Sequence, residues 1–210
     1  MTENERLGTP YHLNEGWLCL DFANTANWHA RSVPVEELTS YPVLLEWAQR
    51  KGVLGSDEAE RLLGEASRSP QAAEAALERA IALREAIYRI FSATVHDLPA
   101  PPQDLDFLNA VLAEKLRGLS VAPEASGFVW RWRAEPQSLD GMLGPIARSA
   151  AELLTSAALR RVGQCADDRG CGWLFLDLTK NHSRRWCSME SCGNRAKVMQ
   201  HYQRKHRPAS

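Results

Sequence analysis

Four cysteines near the end of this 210-residue chain have a spacing that indicates metal chemistry. Five residues separate Cys165 from Cys171, four separate Cys187 from Cys192, and fifteen lie between the two pairs. A structural zinc ion is bound tetrahedrally, often by two ligands from each of two chain segments, and this spacing supplies both pairs. We therefore predict one structural zinc ion bound by Cys165, Cys171, Cys187 and Cys192.

The sequence alone leaves open whether all four cysteines bind the ion. A reducing cytoplasm disfavours a disulfide pair, but some of the thiols could be ordinary buried side chains. His182, His201 or His206 could also replace one cysteine as a ligand. The fifth cysteine, Cys19, lies between two leucines and is expected to be a small core residue.

The residues around the cysteines predict a small treble-clef-like module of mixed α and β structure, over residues 161–210. The run CGWLFLDL alternates as a strand does, TKNHS is typical of a turn, and RRWC is expected to form a return strand. The following RAKVMQHYQRK has helical composition, and its Val198 and Tyr202 are expected to pack on the hairpin. So small a module needs bound metal to supply its folding energy.

Charge is divided unevenly along the chain. The formal net charge is -1, yet residues 160–210 contain eleven lysines and arginines against four acidic residues. This excess of positive charge favours a polyanionic partner for the C-terminal part and argues against one for the acidic remainder. We therefore predict DNA binding, with these candidate contacts: Lys180, His182, Arg184, Arg185, Asn194, Arg195, Lys197, His201, Arg204 and Lys205.

Alternative roles for these cations remain open. Charged runs on helices are often only solvated faces, and a zinc module can also bind proteins. Arg184 or Arg195 could pair with Asp177 or Glu190. Arg195 is also close enough to the cysteines to brace the module through backbone carbonyls.

Residues 1–160 are predicted to form a mostly helical domain with one small β-hairpin. Apolar residues at steps of three and four predict helices over residues 40–52, 56–67, 69–97, 104–117 and 138–161. In the last of these, Pro145 either kinks the helix or lies in its first turn. Aromatic residues in alternation predict a hairpin between residues 119–121 and 128–133.

Several of these motifs resemble known families. CGWLFLD and RRWCSMESCGNRAK are similar to the CGNR zinc finger, with Cys192, Gly193, Asn194 and Arg195 as the tetrad that names it. LCLDFANT, SYPVLLEWAQRKG and LLTSAALRRVGQC resemble the ABATE domain of bacterial stress-induced transcription regulators. The resemblance implies a helical module that senses a small molecule, joined to a zinc module that binds DNA, and the four cysteines as zinc ligands.

Polar groups beside an apolar stretch in the N-terminal domain could line a ligand pocket. The candidates for binding a small molecule are Asp21, Asn24, Thr25, Trp28 and His29. Asp21, Asn24 and Thr25 could instead cap a helix or tie down the N-terminal segment.

Other classes of protein are less consistent with the sequence. We find no nucleophile and base at an informative spacing and no phosphate-binding glycine loop, so we do not expect the protein to be an enzyme. An apolar run long enough to span a bilayer and a secretory signal are both missing from the sequence, and we expect a cytoplasmic protein without a membrane partner. A homodimer would suit a regulator, although no coiled-coil seam indicates one.

Overall fold

The computed structural model describes residues 12–13, 16–132 and 138–205, without the side chains of residues 12, 13, 16, 200, 201 and 203–205. The α-helices are α1 Leu18–Ala23, α2 Tyr41–Arg50, α3 Ser56–Arg68, α4 Pro70–Val95, α5 Pro102–Lys115, α6 Leu143–Leu154 and α7 Asn194–Lys205. The strands are β1 His12–Leu13, β2 Gly16–Trp17, β3 Ala26–Asn27, β4 Val35–Glu36, β5 Leu119–Glu124, β6 Gly127–Trp132, β7 Val162–Gln164 and β8 Leu174–Leu176. These strands form four antiparallel pairs in chain order, so the described chain is mostly helical with small two-stranded sheets, as predicted.

Helix α4 is the centre of the apolar core. Its Leu83, Ile87 and Phe91 follow steps of four residues and are fully buried. The short helix α1 lies across it and buries Leu18 and Phe22 in the same core, together with residues of α2, α5 and α6. Burial of apolar side chains between these helices is the dominant stabilising contribution to the fold.

Proline and glycine determine where several helices begin and end. Pro42, Pro70 and Pro102 lie in the first turns of α2, α4 and α5, where a missing backbone N–H costs nothing. After α2, Gly52 adopts a φ of +67°, a conformation that glycine tolerates and that ends the helix.

The helix predicted over residues 138–161 is shorter in the structure. Helix α6 begins at Leu143, so that Pro145 lies in its first turn and does not kink it. The helix ends at Leu154 because the hydroxyls of Thr155 and Ser156 donate to backbone carbonyls of the last turn. A 3₁₀ turn, Ala157–Arg161, then leads into β7.

The hairpin of the C-terminal module also differs from the expected one. Strand β8 pairs with β7, which precedes the first cysteine, and residues 184–187 are not a strand. Val162 of β7 and Leu174 of β8 belong to the main apolar core, and this burial selects the observed pairing. Val198 and Tyr202, which were expected to pack on the hairpin, leave 66% and 60% of their surfaces exposed.

Among the described residues, every helix is too short or too polar to cross a lipid bilayer.

Candidate metal centre and nucleic-acid interface

The four predicted cysteine ligands converge on one point. Their sulfur atoms all lie within 4.8 Å of one another, although the two pairs come from separate segments. The Sγ atoms of Cys171 and Cys187 are 3.7 Å apart, and those of Cys187 and Cys192 are 3.6 Å apart. None of the four forms a disulfide.

These distances fit a single zinc ion. A tetrahedron of sulfurs about 2.3 Å from a zinc ion has edges of roughly 3.8 Å, which is close to the observed separations. Four thiolates complete such a shell, so the residues present match a structural zinc site. The four sulfurs therefore form a complete set of ligands for a structural zinc ion, which Cys165, Cys171, Cys187 and Cys192 would bind.

The pKa shifts of the four thiols indicate that the cluster needs a bound cation to ionise fully. Hydrogen bonds from Cys171 and Cys187 lower the pKa of the Cys165 thiol to about 2. The hydrogen bond to Cys165 raises the pKa of Cys171 to about 12, and hydrogen bonds to Cys165 and Cys171 raise the pKa of Cys187. Burial raises the pKa of Cys192. Four thiolates this close together would repel one another, and a divalent cation would let all four ionise.

Two turns position the sulfurs. Cys165 follows β7, and its backbone N–H donates to the Trp173 carbonyl, which closes the first turn, or knuckle, over residues 165–173. Cys192 lies in a single π-helical turn, Met189–Gly193, immediately before α7. The Ser188 hydroxyl accepts from the Ser191 N–H, and the Ser188 carbonyl accepts from the Gly193 N–H, so this turn is held at both ends.

A buried aspartate connects the two turns. Asp167 exposes only 3% of its side chain and accepts from Arg195 Nη2 at 3.1 Å. Arg195 Nη2 also donates to Cys192 Sγ at 2.8 Å. Burial alone would raise the pKa of Asp167, but hydrogen bonds from the Arg169 backbone and from the Arg169 and Arg195 side chains lower it. Arg195 thus braces the cysteine cluster through a carboxylate and a sulfur, an ion pair that the sequence pattern did not identify.

Arg184 and Asn194 also make internal contacts. Arg184 donates to the carbonyls of Leu176, Trp186 and Cys187, and its guanidinium carbon lies 4.6 Å from the centre of the Phe175 ring. Asn194 donates to the Glu190 carbonyl at 3.2 Å.

Other candidate DNA contacts are exposed. Lys180, Arg185 and Lys197 form no ion pair with any described residue, and Arg185 lies over the Trp186 ring at 5.3 Å. His182 is exposed in the turn after β8 with a φ of +49°. His201, Arg204 and Lys205 belong to α7, but the description of the structure does not extend to their side chains, and His206 lies outside the described residues.

The five residues considered for ligand binding lie in α1 and in the segment that follows it. Asn24 Nδ2 donates to the Leu174 carbonyl at 2.8 Å, and Asn24 Oδ1 accepts from the Leu174 N–H at 2.9 Å. Thr25 donates to the Phe22 carbonyl, and Lys51 donates to Asp21 at 2.6 Å. These contacts favour the alternative in which the three polar residues tie the segment down.

Trp28 and His29 contact the metal module directly. Trp28 packs against the cysteine cluster. The His29 N–H donates to the Cys171 carbonyl at 2.9 Å, and its ring stacks on Tyr88 and contacts Glu85 at 3.1 Å. Burial would raise the pKa of Glu85, but the hydrogen bond and charge of His29, together with Arg84, lower it.

Gln164 is a further link that no sequence motif indicated. Its amide donates to the Tyr88 hydroxyl at 2.7 Å and to the Gly172 carbonyl at 3.2 Å, and its oxygen contacts His96 of the same network at 2.8 Å. A cavity of about 510 Å³ adjoins this network and is bordered by His29, His96 and Gln164. No local pattern identifies these partners, because α4 and β7 are distant in sequence.

Comparisons with known families agree with this architecture. The model of the ABATE family, described as "Putative stress-induced transcription regulator", matches residues 16–157. The model of the CGNR zinc finger matches residues 161–205. A search among curated proteins finds no significant match. Neither family description names an enzymatic activity. The chain therefore belongs to the ABATE family and carries a CGNR zinc finger after its ABATE domain.

Proposed function

We propose that the protein is a DNA-binding transcription regulator whose zinc-ordered module, residues 161–210, contacts the DNA backbone. The observation that carries this proposal is the imbalance of accessible charge on the module. Two of its four acidic residues, Asp167 and Asp177, are buried and hydrogen-bonded within the module. Lys180, Arg185 and Lys197 keep exposed charges that no described acid pairs with.

Asp177 shows how the acids are withdrawn from the surface. Its carboxylate accepts from the Thr179 backbone and hydroxyl and from the Arg184 N–H. Burial would raise the pKa of Asp177, but these hydrogen bonds lower it. The carboxylate thus shapes the turn that presents Lys180 and His182, and it forms no ion pair with Lys180.

The proposed interface predicts a steep dependence of DNA affinity on salt. Each phosphate contact contributes about 0.9 to the slope of log affinity against log salt concentration. Replacing Lys180, Arg185 and Lys197 with alanine should therefore lower the magnitude of that slope by up to roughly 2.7. The measurement is a fluorescence anisotropy titration of duplex DNA at several salt concentrations.

A control variant with the same change in charge tests whether position matters. Arg50, Arg117 and Arg131 are exposed cations of the N-terminal domain that form no ion pair with described residues. Their triple alanine variant should keep the wild-type slope. Equal slopes for all three proteins would refute the proposed interface and favour a zinc-stabilised adaptor that binds protein.

We further propose that the N-terminal domain binds a small molecule. A cavity of about 750 Å³, a size typical of ligand pockets, lies between the end of α5, hairpin β5–β6 and the start of α6. Trp130, Trp132 and Met142 line it. A metabolite that raises the thermal unfolding midpoint of the wild type should fail to do so in Ser120→Trp, which adds an indole at a partly buried residue of the lining. An equal rise in both proteins would place the ligand elsewhere.

A further inference from the structure

Three arginines from two parts of the chain surround one indole ring. The guanidinium carbons of Arg31, Arg195 and Arg169 lie 4.2, 5.2 and 5.5 Å from the centre of the Trp28 ring. Arg31 and Trp28 belong to the ABATE domain, whereas Arg169 and Arg195 belong to the zinc finger. We call Trp28 and these three arginines the arginine cluster.

In the arginine cluster, Arg195 faces the Asp167 carboxylate and the Cys192 sulfur, whereas Arg31 keeps a charge that no described acid pairs with. Both Arg169 and Arg195 pair with the single buried carboxylate of Asp167. Arg31 pairs with no acid among the described residues, and its Nε donates to the Arg169 carbonyl at 2.6 Å. Asp168, exposed in the same turn, forms no ion pair with any described arginine.

The geometry leaves hydrogen-bond donors free for an anion. Nε of Arg31 is used by the Arg169 carbonyl, and its two terminal nitrogens have no described partner. Cation–π contacts with Trp28 hold the guanidinium groups close together, and a planar fork of N–H donors matches two oxygens of a phosphate group. The side chains of Arg169 and Arg195 are 42% and 39% exposed, so an anion can reach them from solvent.

We propose that the arginine cluster binds a backbone phosphate of DNA, and that the DNA interface therefore extends from the zinc finger onto Arg31 of the ABATE domain. The inference rests on the proposed DNA-binding function. It is also supported by continuity, because Arg195 lies in the first turn of α7, two residues before the exposed Lys197. The interface then includes both parts of the chain, so the ABATE domain contributes directly to affinity.

The test is a duplex DNA titration against salt concentration with wild type, Arg31→Ala and Arg31→Lys. Arg31→Ala should lower the magnitude of the salt slope by about 0.9, the contribution of one phosphate contact. Arg31→Lys keeps the charge and should keep the slope, with weaker binding at every salt concentration because the stacked fork is lost. Arg50→Ala, which removes another exposed cation of the ABATE domain outside the 750 Å³ cavity, should leave both quantities unchanged.

The controls separate the two proposals. Zinc content and thermal midpoint of each variant show whether the fold is intact, and Arg169→Ala provides a second route to the same loss of slope if Arg31→Ala is unstable. If wild type binds DNA with a steep slope and the Arg31 and Arg169 variants match it, the arginine cluster is not part of the interface. If wild type shows no salt-dependent DNA binding, the proposed function itself is wrong. Binding of polyglutamate but not DNA through Arg31 would also overturn the inference.

Discussion

Gly172 offers a sensitive test of the contact between the ABATE domain and the zinc finger. It follows the Cys171 ligand and adopts a φ of +67°, a backbone conformation that residues other than glycine rarely adopt. A Cβ atom at this position would lie 2.7 Å from both the nitrogen and the Cβ of Ala30, and 2.8 Å from the Tyr88 hydroxyl. The Gly172→Ala substitution therefore forces the two parts of the chain apart.

The magnitude follows from comparison with Gly52, whose φ is also +67° but whose Cβ would meet nothing within 4 Å. The left-handed conformation costs alanine about 1 to 2 kcal/mol, and we expect this loss in Gly52→Ala. Gly172→Ala adds an overpacking cost of about 1 to 3 kcal/mol, because the backbone of Ala30 must move. The effect of alanine on the unfolded chain is common to both variants and cancels in the comparison.

The assay is urea unfolding followed by circular dichroism, at a fixed free zinc concentration so that zinc binding contributes equally. Gly172→Ala should be less stable than Gly52→Ala by about 1 to 3 kcal/mol. It should also release zinc to a chelator faster, since the displaced Ala30 adjoins His29, which bonds to the Cys171 carbonyl at 2.9 Å. Equal stabilities and equal release rates would refute the reasoning that the two parts are closely packed at Gly172.

Two further predictions concern thiols and acid. Of the five cysteines, four should react with a thiol reagent after zinc chelation and all five only in denaturant, because Cys19 is fully buried in the main apolar core. Cys19→Ala should lower only the denatured count, and reaction of Cys19 in the native protein would contradict this expectation. Hydrogen bonds from Arg79 and Lys115 lower the pKa of Glu114 from 4.5 to about 2, so its stabilising effect is complete above pH 4.5 and is lost as pH falls toward 2. The difference in unfolding free energy between wild type and Glu114→Gln should therefore be under about 1 kcal/mol at pH 7, because Glu114 is half exposed. This difference should shrink by pH 3. A difference that does not change with pH would contradict the prediction.

The zinc cofactor, the family and the fold class could all be predicted from the sequence. The sulfur ligands come in two closely spaced pairs, and such spacing is a local property that can be counted along the chain. Helix α4 has a long periodic pattern that predicts a helix to residue 97, against an observed end at Val95. Both predictions agree with the folded structure because they depend only on residues that are close together in the sequence.

Predictions that depend on distant partners are less accurate. The strand CGWLFLDL is expected from its sequence to pair with RRWC, yet β8 pairs with β7 because Val162 and Leu174 share the core beneath them. Asn24 carries the same side chain whether it contacts a ligand or a strand, and its bonds to Leu174 span 150 positions in the sequence. Residue type therefore identifies a polar contact without identifying its partner.

Because of the same long-range contacts, only part of the module depends on zinc for its order. Hairpin β7–β8 has two supports besides the metal: the apolar core beneath it and the Asn24 amide bonded to Leu174. Helix α7, by contrast, follows the cysteine turn, and its Val198 and Met199 are exposed. Since Cys187 and Cys192 join that turn to the first knuckle, zinc chiefly orders the chain beyond β8. The first knuckle remains hydrogen-bonded to the ABATE domain through the His29 N–H. Its position therefore determines where the zinc-bound cysteine turn, and the cations of α7 that follow it, would lie.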